Sequence, residues 1–131
     1  MKIKIPFCKA YLNRKEIRAV KKVLKNGWLT SGPIVRQFEK EFAEYVGSKY
    51  AVAVNSCTAA LFLAYKRLNL PKGSHIAVPS LTFAATVNEI VHAGYKPRFV
   101  DVKLIDYTLD ENLVDIKKVD AISVVHLAGN K

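Results

Sequence analysis

The stretch Asn55-Ser56-Cys57-Thr58-Ala59-Ala60 concentrates the residue types that can do chemistry. It lies between an apolar run, Tyr50-Ala51-Val52-Ala53-Val54, and a helix-forming run, Ala59-Ala60-Leu61-Phe62-Leu63-Ala64-Tyr65. An apolar run without alternation reads as a strand buried on both faces. In open α/β sheets, ligands gather at the carboxyl ends of such strands. The first N–H groups of the following helix lack intrahelical partners, its dipole favours an anion, and hydroxyls add donors. Ser56 and Thr58 are therefore candidate phosphate ligands. The plainer alternative is that one of them only caps the helix. The pattern is neither a Walker loop nor a GxGxxG, which argues against an ordinary ATPase or dinucleotide-dependent dehydrogenase.

A second junction of the same kind follows at Pro79-Ser80-Leu81-Thr82-Phe83-Ala84-Ala85-Thr86. Phe83 falls early in the next helix, where its ring can stack on a flat ligand; a core phenylalanine is the competing reading. His126 and Asp101 end later apolar runs on the same edge, and each has a structural alternative as a polar contact or turn residue. His75 and His92 form no metal-ligand spacing with cysteines or carboxylates, so no metal site is expected. No serine elbow or Ser/His/Asp arrangement is legible.

The elements that must position these residues follow from spacing. Residues 13–26 read as an amphipathic helix. Asn13 and Glu16 form an asparagine version of the capping box, Ile17, Val20 and Leu24 make one stripe, and Gly27 stops it. Arg14, Lys15, Arg18, Lys21, Lys22 and Lys25 give it a basic outer face. Residues 27–33 form a loop, and Pro33 opens a second helix with Val35, Phe38, Phe42 and Tyr45 on one face and Gly47 at its end. Beyond the strand at 50–54, strands are expected at Ile76-Ala77-Val78, at Arg98-Phe99-Val100-Asp101-Val102 and at Ala121-Ile122-Ser123-Val124-Val125-His126. Helices are expected over residues 59–65, 82–92 and 111–117. Strands separated by helices imply right-handed crossovers, a mainly parallel sheet and an α/β fold. The organisation is a single partial domain: residues 1–47 as a helical segment and loop, 48–131 as part of a sheet domain. A half-covered parallel sheet ending at residue 131 reads as an incomplete layer.

Composition narrows the classes. Half of the 131 residues are hydrophobic, which excludes general disorder. No apolar run is long enough to span a bilayer, and Met1-Lys2-Ile3-Lys4-Ile5-Pro6 is too short and charged for a signal peptide. Cys8 and Cys57, far apart and without a CxxC, fit a reduced, cytoplasmic protein. The net charge of +10 is uneven: residues 1–49 hold 12 Lys/Arg against 4 Asp/Glu, and residues 50–131 hold 9 against 7. A basic amino-terminal end calls for an anionic partner or for a solvated lysine-rich face. Base-reading modules and aromatic-interleaved basic patches are absent, which argues against nucleic acid.

Taken in order, these segments resemble the DegT/DnrJ/EryC1/StrS family of sugar aminotransferases dependent on pyridoxal 5'-phosphate. The residues that carry the resemblance are Gly27-Trp28-Leu29-Thr30-Ser31-Gly32-Pro33, Phe38-Glu39, Phe42-Ala43, Val54-Asn55-Ser56-Cys57-Thr58-Ala59-Ala60-Leu61, Pro79 through Thr86, Phe99-Val100-Asp101-Val102 and Val125-His126-Leu127-Ala128-Gly129. The resemblance implies part of the large domain of a fold-type I aminotransferase. It implies that Ser56, Cys57 and Thr58 cradle the cofactor phosphate and that Phe83 stacks on the pyridine ring. It places Thr30, in the 28–33 loop, and His126 near the substrate, and it implies a homodimer with active sites between subunits. Two positions depart from the family pattern: Cys57 stands where glycine is usual, and His75 replaces an acidic residue. The family's Schiff-base lysine and the aspartate on the pyridine nitrogen are expected beyond residue 131, so no catalytic residue is assigned here.

The function this implies is the amino-terminal portion of an enzyme that moves an amino group from a donor such as glutamate to a nucleotide-linked keto-sugar, inactive as residues 1–131 alone. A sugar dehydratase of the same fold and a non-catalytic remnant are the alternatives. None of Lys66, Lys72, Lys96, Lys103, Lys117 and Lys118 is expected at the two strand-end turns, and Lys131 is expected on a frayed terminus.

Overall fold

Caps and sheet partners decide which of these elements form. The computed structural model describes residues 9–130, so Cys8, the first six residues and Lys131 lie outside the described residues. The chain divides between Ala53 and Val54 into two units.

The first unit carries α1 (Arg14–Asn26) and α2 (Pro33–Val46). The capping box of α1 is present: Asn13 Oδ1 accepts from Lys15 N–H at 2.7 Å, and Glu16 Oε2 accepts from Asn13 N–H at 2.8 Å. Gly27 closes the helix at φ 71°, a left-handed conformation that glycine adopts without steric cost. Pro33 opens α2, where its missing N–H is no loss, and Gly47 ends it.

Residues 50–54, expected as a buried strand, form none, and Tyr50 and Val52 are exposed. A strand needs a hydrogen-bonded neighbour, and the described residues supply none for this run. Glu39 holds it instead, its Oε1 accepting from Ala53 N–H at 2.9 Å, while Ser48 Oγ donates to the Tyr50 carbonyl at 3.0 Å.

The second unit holds α3 (Cys57–Arg67), β1 (His75–Pro79), α4 (Ala84–His92), β2 (Lys96–Val100) and β3 (Ala121–Ile122). The sheet order is β2-β1-β3, all parallel, with His75 opposite Lys96 and Ile76 opposite Ala121. The expected parallel α/β arrangement is present. β1 is central, and from Ile76 to Pro79 it is apolar and buried, as a strand covered on both faces should be. Ile76 and Val78 join Tyr65, Ile90, Ala93 and Tyr95 on the helix side, and Ala77 joins Val100 and Leu109 on the other.

Several boundaries differ from expectation. β3 was expected to reach His126 but ends at Ile122. Ser123 N–H still donates to the Ala77 carbonyl at 2.8 Å, but the next donor on β1 would be Pro79, which has no N–H. β2 starts at Lys96, not Arg98. Pro97 is tolerated because β2 lies at the edge of the described sheet, and the strand ends at Val100. Val102 instead bridges antiparallel to Leu109. α4 begins two residues later than expected. The helix expected over 111–117 shrinks to one 3-10 turn, Glu111–Leu113. There Asp110 and Asp115 accept from backbone N–H groups two residues on, which competes with helix.

Tyr65 ties the helix layer to the sheet. Its hydroxyl donates to the Thr86 carbonyl at 3.2 Å and lies 2.7 Å from Ser123 Oγ. Burial pushes its pKa above the usual 10.0, and the hydrogen bond to Ser123 opposes that. The folded value exceeds the unfolded one, so this contribution to stability is full below about pH 10 and is lost as pH rises through the folded value. Tyr65→Phe should cost about 1 kcal/mol at neutral pH. Urea melts of the two proteins should converge as pH rises past the tyrosine range; a gap that stays constant would count against this account.

Candidate functional site

Two junctions of the second unit, at the start of α3 and at the start of α4, carry four of its five candidate residues, and His126 is the fifth. α3 and α4 run side by side in the same direction, since residues at both carboxyl ends, among them Lys66, Leu70, His92 and Ala93, line one hollow. Their amino termini therefore emerge together at the other end, where β1 hands over to α4.

Ser56, Cys57 and Thr58 form the exposed first turn of α3. Ser56 is the N-cap: its Oγ accepts from Ala59 N–H at 3.1 Å, and its own proton points toward Asn55 Oδ1 at a loose 3.4 Å. The capping alternative is thus met by Ser56. That role leaves its hydroxyl proton free to turn to an anion. Cys57 N–H and Thr58 N–H precede the first intrahelical donor, Ala60, and the Thr58 hydroxyl has no hydrogen-bond partner among the described residues. Cys57 has negative φ, so a side chain in place of the family's glycine keeps its N–H available. Two free amides, two hydroxyls and a helix dipole suit a phosphate dianion.

Phe83 is the N-cap of α4, not a residue inside it, with an extended backbone (φ −69°, ψ 139°) and a ring that is 79% exposed. The ring is outside the core of the described residues, and an open aromatic face at a strand-to-helix junction suits a flat ring.

The other two candidates stand apart. His126 lines a hollow of about 350 Å³ with Lys103, Glu111, Ile122 and Val124, and none of Ser56, Cys57, Thr58 or Phe83 borders it. Within it Lys103 Nζ lies 2.6 Å from Glu111 Oε2. That bond holds the lysine above, and the glutamate below, its ordinary pKa. Thr30 belongs to the first unit, in a loop folded on itself: Trp28 Nε1 donates to the Ser31 carbonyl at 2.9 Å, with the indole over Gly32. Of the lysines, Lys66 and Lys72 line the hollow at the opposite end of α3 and α4, Lys96 starts β2, and Lys118 pairs with Asp115 at 2.7 Å.

Sequence reasoning missed the links that brace this edge. Ser80 Oγ donates to Asp101 Oδ1 at 3.3 Å, and Thr82 Oγ1 to Thr86 Oγ1 at 2.9 Å. The available signal was that Ser80 and Asp101 each follow the last residue of neighbouring parallel strands.

Residues 10–131 match the sequence profile of the DegT/DnrJ/EryC1/StrS aminotransferase family. The chain belongs to that family. It is 46% identical over 115 residues to the spore coat polysaccharide biosynthesis protein SpsC of Bacillus subtilis, covering 88% of this chain and 28% of that protein. It is 34% identical over 128 residues to a UDP-4-amino-4-deoxy-L-arabinose–oxoglutarate aminotransferase of Shewanella sediminis, covering 95% and 33%. Among solved structures, the PMP form of the putative sugar aminotransferase Spr1654 of Streptococcus pneumoniae superposes with a TM-score of 0.88 at 32% identity, over 98% of this chain and 33% of that one. The chain thus spans about a third of the length of these family members. Among the described residues, no helix is long and apolar enough to cross a membrane.

Two outcomes check the local geometry. Ser56→Ala should destabilise the chain by about 1 kcal/mol through loss of the cap, whereas Thr58→Ala should leave stability within about 0.5 kcal/mol. Denaturant titrations that rank them the other way would reassign the cap. In the loop, a Cβ on Gly32 would sit 2.2 Å from Trp28 Nε1, so the indole must move. Trp28 is the single tryptophan. Gly32→Ala should therefore red-shift the emission and raise its quenching by acrylamide, and an unchanged spectrum would contradict the close approach.

Proposed function

We propose that this chain is the amino-terminal portion of a pyridoxal 5'-phosphate-dependent aminotransferase acting on a nucleotide-linked keto-sugar, with an amino donor such as glutamate. The observation that carries the reading is the exposed turn at Ser56, Cys57 and Thr58 with its unengaged amides, and the exposed ring of Phe83 at the amino terminus of the adjacent helix supports it. Membership of the sugar-aminotransferase family supports the reaction class. When bound, the cofactor supplies an electron sink for the carbon–nitrogen chemistry. The chain's own residues bind and orient it. Cys57 N–H, Thr58 N–H and the hydroxyls of Ser56 and Thr58 donate to the phosphate, aided by the α3 dipole, and Phe83 covers one face of the ring. In this reading residues 48–131 contribute part of the large domain. Thr30 and His126 serve the sugar substrate, the enzyme is a cytoplasmic homodimer, and the lysine that carries the cofactor covalently is supplied from outside residues 1–131. The same half-site would serve a sugar dehydratase of this fold.

The test uses residues 1–131 themselves, titrated with inorganic phosphate and with pyridoxal phosphate. The amide resonances of Cys57 and Thr58 should shift with both ligands. Thr58→Ala should weaken both by roughly 10- to 100-fold, since a hydrogen bond to a charged group contributes about 1.5–3 kcal/mol. Borohydride reduction should label no lysine stoichiometrically, and no amino donor should turn over. Unshifted amides, or an unchanged affinity in Thr58→Ala, would remove the turn from the site. Specific labelling of one lysine with turnover would overturn the placement of the catalytic lysine elsewhere.

A further inference from the structure

Phe83 occupies an N-cap position yet has no polar side-chain atom with which to cap, and its ring is 79% exposed. The directions open to a ring on a strand-to-helix turn are counted from its backbone, so a fixed backbone limits them to the rotamers that this φ/ψ allows. Four hydrogen bonds bracket this backbone, two on each side. On the strand side, Ser80 N–H donates to the Val100 carbonyl at 2.8 Å and Ser80 Oγ to Asp101 Oδ1 at 3.3 Å. That carboxylate oxygen is itself fixed, accepting from Val102 N–H at 2.8 Å. On the helix side, Thr82 Oγ1 donates to Thr86 Oγ1 at 2.9 Å, and Thr86 N–H to the Phe83 carbonyl at 3.0 Å.

Thr86 is the informative member. It is 7% exposed, where valine would fill the same space, so packing does not explain the hydroxyl. Its oxygen is the acceptor that Thr82 uses, and its carbonyl accepts from Tyr65. The residue immediately before Phe83 is thereby pinned to a buried point in the core, and the residue three before it to the end of the neighbouring strand.

We propose that Asp101 and Thr86 are positioning residues for the aromatic contact: through Ser80 and Thr82 they fix the backbone from which the Phe83 ring projects, and so the set of directions open to it, and neither touches the flat ligand. The proposal rests on the pyridoxal phosphate reading for its purpose, while the clamp is a property of the chain alone.

The experiment incorporates para-fluorophenylalanine at Phe83 and compares Thr86→Val, Thr86→Ser, Asp101→Ala and Asp101→Asn in the 131-residue chain. Fluorine NMR without ligand reads the ring. Titrations with pyridoxal phosphate and with inorganic phosphate, and the induced circular dichroism of the bound chromophore, read the site. Thr86→Val and Asp101→Ala should broaden or split the fluorine line, weaken pyridoxal phosphate about fivefold and diminish the induced signal. Inorganic phosphate affinity should stay unchanged, because the turn at α3 is untouched. Thr86→Ser and Asp101→Asn, which keep an acceptor, should restore the parent behaviour. An unaltered fluorine line in both disrupting variants overturns the proposal. So does an equal loss of phosphate affinity, which would reveal general loosening. If the parent chain binds no pyridoxal phosphate, the functional reading fails, and the fluorine line alone then decides the clamp.

Discussion

The second unit depends on one constraint: β1 is hydrogen-bonded along both edges and covered on both faces. Ile76 and Val78 reach the helix layer and Ala77 the opposite layer, so neither a register slip nor a rotation of the strand is available without exposing one set or the other. With β1 fixed, the start of α4, the end of β2 and the chain after β3 take their positions from it. Tyr65 extends the constraint outward by joining α3, α4 and the residue after β3 through a single hydroxyl.

The candidate site differs in kind from that core. Its members are exposed and held by polar contacts at strand and helix ends, and its donors are largely main-chain N–H groups left open by helix geometry. Cys57 illustrates the point. The backbone there is ordinary helix, so the substitution of a glycine usual in the family leaves the donors in place. In the proposed role, what the turn asks of residue 57 is a free N–H, which any residue other than proline provides.

Much of this was legible in the sequence where the physics is local. The capping box at Asn13 and Glu16, the stops at Gly27 and Gly47, and the helix after Ser56 need only neighbours within four residues. The strand at Ile76-Ala77-Val78 was expected, while burial on both faces was expected of residues 50–54 and is found in β1 instead. The expectations that changed depended on distant residues. Residues 50–54 have strand composition but no hydrogen-bonded neighbouring strand among the described residues. β3 looked long until Pro79, some forty positions earlier in the chain, is seen to lack the next donor. The braces at Ser80 and Asp101 join residues 21 apart in sequence and follow only from the parallel register. Thr30 and His126 remain candidates by resemblance, and the residues that surround each give no independent ligand-binding arrangement.

Pro79 carries a wider consequence. A parallel sheet normally zips to its ends, and a crevice between strands has to be kept open by bulky neighbours or by mobile loops. Here the end of the β1–β3 ladder is written into covalent structure, as an amide hydrogen that Pro79 does not have. Fluctuation cannot restore it, and replacement of a side chain elsewhere cannot close the gap by adding the missing bond. The point at which β3 leaves the sheet is therefore set by the sequence of its neighbour, and no substitution within residues 121–126 can supply the donor that would extend it.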